Sequence, residues 1–142
     1  MQFQVRHELA APAEVAFDLL ADVRHQAHWG STPIQGELLT AEPIGLGSRF
    51  LALHGGRRYE ATITMHRRPE VLRIEVLGAH LTVKGDFLFT PADRGALLEG
   101  VLDIGAKGPM RLVLPTFRNT IAAQLPTEAA GFARFCAARA AA

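Results

Sequence analysis

Residues 23–30, VRHQAHWG, carry the chain's single tryptophan and two of its six histidines. His25 and His28 stand at i and i+3, so on a helix they share a face, a spacing that suits metal ligation or proton transfer. Zinc needs three or four converging ligands. The other histidines, His7, His54, His66 and His80, are scattered, and neither HExxH nor CxxC occurs, so no metal site is expected. Nucleophilic chemistry fares no better. There is no GxSxG elbow, and the only cysteine, Cys136, stands at helical spacing from Phe132, which reads as core. GLGSRF at 45–50 ends in Phe50 where a dinucleotide loop needs glycine. In GVLDIGAKG, Lys107 falls one place late for a phosphate loop and precedes Gly108. No catalytic residue is assigned. His7 and Tyr59 remain as candidates for acid–base work, and no cofactor is expected.

The elements that would position such residues follow from periodicity. Over 2–9, Phe3, Val5, His7 and Leu9 alternate with polar neighbours, which is a strand. From Pro12 the period changes: Val15, Leu19 and Val23 form a helical stripe widened by Phe17 and Leu20, with Glu14 at the positive end of the helix dipole. A second short helix is expected over 24–29. Glycine and proline punctuation then delimits runs of strand length at 34–41, 48–54, 57–67, 71–77, 80–90 and 96–104. In 58–65, Tyr59, Ala61, Ile63 and Met65 share a face. In 81–89, Leu81, Val83, Gly85, Phe87 and Phe89 do so. After Gly108 a helical stripe returns through Met110, Val113, Leu114, Phe117, Ile121 and Leu125, with Pro115 and Pro126 expected to kink or break the helix. Strand, two short helices, six strands and a long helix make an α+β protein with a seven-stranded antiparallel sheet.

Composition narrows the classes. The chain has 142 residues, 49% of them apolar, which suits one domain over 1–142 with a full core. A net charge of +1 and basic runs no longer than HRRP and GRR give no nucleic-acid footprint. The N-terminus lacks the charged start and apolar run of a signal peptide, and no apolar run reaches the ~18 residues of a membrane span. A soluble cytoplasmic protein, monomer or homodimer, with no membrane insertion, is the expectation.

This order of elements, with the residues at its joints, resembles the START-like superfamily, and within it the polyketide cyclase/dehydrase-like group of SRPBCC proteins. The matching pieces are APAEVAFDLLADVRHQAHW (11–29), EPIGLGSRF (42–50), RRPEVL (67–72), GDFLFTP (85–91) and AKGPMRLVLP (106–115), in the family's order across essentially the whole chain. Pro126 departs from the pattern, since many relatives run their last helix on smoothly. The resemblance implies a helix-grip fold: a curved sheet wraps a long C-terminal helix and leaves a cavity that takes a hydrophobic ligand.

On that fold the sheet would offer Phe50, Tyr59, Ile63, Phe87, Phe89, Leu98 and Leu102 to the ligand, and the helix Met110, Leu114, Phe117 and Ile121. Gly85 and Gly100 leave room on the same face or let backbone approach closely. Trp29 would close one end, His28 sit at the rim and His25 face solvent. Trp29→Ala is then expected to alter affinity or stability, and His25→Ala neither. Three functions compete: a carrier or sensor of a lipid-like or polyketide-like ligand, a polyketide cyclase or aromatase using the same cavity, and a protein-interaction module of co-chaperone-like or toxin–antitoxin-associated type.

Overall fold

The computed structural model describes residues 1–32 and 34–142. Strands β1 (Gln2–Leu9), β2 (Gln35–Leu38), β3 (Arg49–His54), β4 (Arg57–Arg67), β5 (Val71–Leu77), β6 (Leu81–Ala92) and β7 (Gly95–Ala106) form one antiparallel sheet in the order β1-β7-β6-β5-β4-β3-β2. Consecutive strands from β2 to β7 pair as a meander, and β1 returns to pair with β7. The chain crosses between the two edges through α1 (Ala13–Ala21), a 3-10 turn at Val23–His25 and α2 (Gln26–Trp29). After β7 come α3 (Met110–Val113), a 3-10 turn at Leu114–Phe117 and α4 (Arg118–Ala141), which packs on β1, α1 and α2. This is the helix-grip α+β architecture: a curved open sheet with a long C-terminal helix.

Local sequence accounts for the joints. Gly55 and Gly56 both have positive φ (56° and 75°), which the two-residue turn between His54 and Arg57 demands. Pro12 precedes α1, and its carbonyl accepts the Ala16 N–H at 3.0 Å. Asp22 ends α1 and accepts the Arg24 N–H at 3.1 Å, starting the 3-10 turn.

Two expectations change. The register of β4 shifts between Ile63 and Met65, so Met65 opposes Arg73 while His66 opposes the buried Leu72. The extra residue reverses parity. His66 thereby meets the Phe17 ring edge-on at 5.0 Å. Pro115 does interrupt the last helix, standing in the 3-10 turn between α3 and α4, but α4 runs through Pro126 without a break. Proline there removes one ladder bond. α4 continues past it to Ala141 and packs on β1.

The concave face is filled unequally. At one end α1 plugs it. Phe17 is fully buried among Phe50, Ile63, Leu72 and Phe89, with the Phe17 and Phe89 rings 5.7 Å apart in edge contact. At the other end the sheet face is left open.

Candidate ligand cavity

The open end is a cavity of about 470 Å³, partly open to solvent. Its floor is the inward rows of the central strands. Tyr59 and Ala61 come from β4, Ile74 and Val76 from β5, Val83 and Phe87 from β6, and Leu98 and Leu102 from β7. Leu20, Val23 and Trp29 wall it on the crossover side, and Leu125, Ala129 and Phe132 of α4 form the roof.

Two glycines shape that floor, though not by leaving space. A Cβ on Gly85 would lie 2.7 Å from the Phe87 ring, and one on Gly100 would lie 3.0 Å from it. The ring lies over both backbones, so Phe87 occupies the room the glycines vacate and offers its other face to the cavity. Tyr59 is seated the same way, its ring 2.6 Å from where a Gly78 Cβ would be.

Trp29 closes the crossover end. Its ring meets Phe132 edge-on at 5.2 Å. The contact depends on Gly131, because a Cβ there would fall 2.5 Å from the Trp29 carbonyl oxygen. A side chain at 131 would therefore push α2 off α4.

Polar groups gather where the crossover and α4 meet the cavity: Asp22, Gln26, Thr32, Gln124 and Glu128, with His54 at the end of β3. Burial alone would raise the Asp22 pKa, but hydrogen bonds from Arg24 outweigh it and hold the carboxyl below its usual value. Arg24 Nε and Nη2 donate to the two Asp22 oxygens, each at 2.8 Å, and Nη2 also reaches Glu42 at 3.2 Å. Ser31 donates from its backbone N–H (3.2 and 3.3 Å) and its hydroxyl to Glu128, tying the loop after α2 to α4.

The structure sorts the sequence-derived candidates. Trp29, Tyr59, Phe87, Leu98 and Leu102 line the cavity. Phe50, Ile63 and Phe89 do not, because they are on the inward face at the end α1 fills. Met110, Leu114, Phe117 and Ile121 do not either. They precede the part of α4 that covers the sheet; Leu114 is buried elsewhere and Phe117 is 47% exposed. His7 keeps its inward row opposite Leu98 but faces a second cleft of about 590 Å³ between β1 and α4, its Nδ1 2.6 Å from the Glu8 carbonyl oxygen.

His25 is not solvent-facing. Its side chain is 25% exposed, tilts against Phe135 with centroids 5.5 Å apart, and places Nε2 3.6 Å from Asp22. His28 is exposed and stacks on the same phenylalanine at 6.3 Å. Among the described residues no group of three or more His, Cys, Asp or Glu could hold a metal ion. Cys136 is fully buried, and burial pushes its thiol pKa up to about 12, the opposite of an activated nucleophile.

Sequence reasoning missed the α4 roof of Leu125, Ala129 and Phe132, and the polar mouth. Ile74 and Val76 were legible in principle, since they alternate with Leu72 along β5.

Fold and cavity together define a helix-grip protein with a largely apolar internal site. No family profile matches the sequence, and no curated protein does. Solved structures do. The chain is similar to TTHA0849 from Thermus thermophilus at a TM-score of 0.72 and 16% identity, covering 98% of this chain and 99% of that one. It is similar to CV1439 from Chromobacterium violaceum at 0.69 and 14%, covering 96% and 97%. A third likeness is to DynU16, a protein in the dynemicin biosynthetic locus, at 0.66 and 12%, covering 94% of this chain and 46% of that one. At these identities the likeness is one of fold. Among the described residues no helix is long and apolar enough to cross a membrane.

Proposed function

We propose that this START-like domain, of the polyketide cyclase/dehydrase-like kind, binds a small hydrophobic ligand as a carrier or sensor. The observation that carries the reading is the cavity. Its volume of about 470 Å³ falls in the ~300–1,000 Å³ span of small-molecule pockets. Its lining is mostly aliphatic and aromatic, with polar groups confined to a few positions. Trp29, Tyr59, Phe87, Leu98 and Leu102 are the proposed contacts, with Leu125 and Phe132 added from α4.

The test is native mass spectrometry of the freshly purified protein together with titration by Nile red, an uncharged dye. A retained small molecule or saturable dye binding, weakened in Trp29→Ala, is the expected result. No retained mass and no binding across a panel of lipids and polycyclic aromatics would overturn the reading.

One observation favours an enzyme as the second reading: Tyr59 and His54 both line the cavity, giving it groups able to move a proton. DynU16's place in a biosynthetic locus agrees with such a role. A cyclase of this kind would lose turnover in Tyr59→Phe while keeping ligand affinity.

A further inference from the structure

The cavity's charged groups bear on which head group its ligand carries, an inference that rests on the carrier reading above. Among the described lining residues there is no lysine or arginine, and the carboxylates are Asp22 and Glu128. Asp22 is already committed, since Arg24 satisfies both of its oxygens at 2.8 Å. Glu128 is different. It stands on α4 one turn beyond Gln124 and Leu125, and its partner is uncharged: the Ser31 backbone N–H and hydroxyl. None of the ion pairs among the described residues includes it.

A carboxylate has about four lone-pair sites, so Glu128, which has no cationic partner among the described ion pairs, keeps acceptor capacity at the mouth of an apolar chamber. A ligand ending in a carboxylate would bring a second negative charge there, with loss of its own hydration and repulsion as the result. An ammonium would instead form a charge-assisted hydrogen bond.

We propose that Glu128 selects the ligand's polar end, so that the cavity takes amphiphiles with a hydrogen-bond-donating, preferentially cationic head group and rejects carboxylates. The apolar tail lies along Phe87, Val83 and Leu102, and the head stays between α4 and the loop that carries Ser31.

Displacement of Nile red at neutral pH by dodecylamine, 1-dodecanol and dodecanoate, which share a tail, tests this. Dodecylamine is expected to compete best and dodecanoate worst, with about tenfold or more between them. Glu128→Gln should abolish the amine's advantage over the alcohol. Ser31→Ala, which loosens the loop and retains the charge, should keep the original order. Dodecanoate competing as well as dodecylamine, or an amine advantage that survives in Glu128→Gln, would overturn the proposal. If neither Nile red nor any of the lipid and polycyclic panel binds the wild-type protein and no mass is retained, the carrier reading falls, and the head-group proposal falls with it.

Discussion

His25 illustrates how one ring's surroundings decide its role. In the sequence it is one of two histidines on a short helix, with nothing to mark it as buried. In the fold, Phe135 comes to it from α4, more than a hundred positions along the chain, and no local pattern announces that contact. Burial lowers its pKa below the ordinary 6.5. The Asp22 carboxylate opposes this, while Arg139, His28 and Arg24 add to the lowering. The folded state thus prefers the neutral ring. The stability this gives is present above the unfolded pKa and is lost as pH falls through the folded one. His25→Ala should therefore not be neutral. It is expected to cost about 1 kcal/mol near pH 7, the usual size for losing such packing. Urea titrations should also show a shallower loss of stability below pH 6.5 in the variant than in the wild type. Identical acid limbs would return His25 to the solvent. Trp29, by contrast, was legible as a cavity wall from its place after the crossover, although Gly131, which lets α4 approach it, was not.

The strands were legible because glycines and prolines punctuate them and alternation marks a buried face in several, so 57–67 and 71–77 match β4 and β5 in full. The bulge after Ile63 was invisible because Met65 and His66 both fit an alternating pattern until the partner strand fixes the register. The helix misled more. The stripe from Met110 to Ile121 has the right period, but period does not say which turns meet the sheet. Phe132 and Cys136 were legible as core from their spacing, and the buried turns are theirs with Ala129; the pattern did not show that this half, and not Met110 to Ile121, roofs the cavity. Pro126 sits between the exposed and the covered half, in the cleft facing β1. It leaves the Ala122 carbonyl without its ladder partner while the helix continues. Pro126→Ala is expected to restore that bond and stabilise the protein by up to ~3 kcal/mol. This would be read as a higher urea midpoint at unchanged m-value. A lower midpoint would mean that the ring's packing in the cleft outweighs the missing bond.

One sheet face is packed in two ways here, and their separation explains how a small protein keeps an unfilled interior. The α1 end holds the fully buried rings of Phe17, Phe50 and Phe89 and so carries much of the packing that stabilises the fold. The other end forgoes such packing, since an empty apolar space loses contacts along its whole lining. Stability and the proposed ligand capacity are then opposed at positions such as Val83, which faces the cavity from near the start of β6. Val83→Trp should fill the space with apolar atoms and supply contacts the wild type lacks. The unliganded variant is therefore expected to melt at the same temperature as the wild type or higher. Ligand acts on the wild type by mass action: at a hundred times Kd, binding stabilises the folded state by about 2.7 kcal/mol. For a chain of this length that is roughly a 10 °C rise in Tm. The same ligand should leave the melting curve of Val83→Trp unmoved. Differential scanning fluorimetry with dodecylamine, or with whatever molecule native mass spectrometry finds, separates the cases. A variant that melts far below the wild type would show the cavity to be part of the structural core. One that melts normally and still shifts with ligand would place the binding site elsewhere, with the β1–α4 cleft the next place to look.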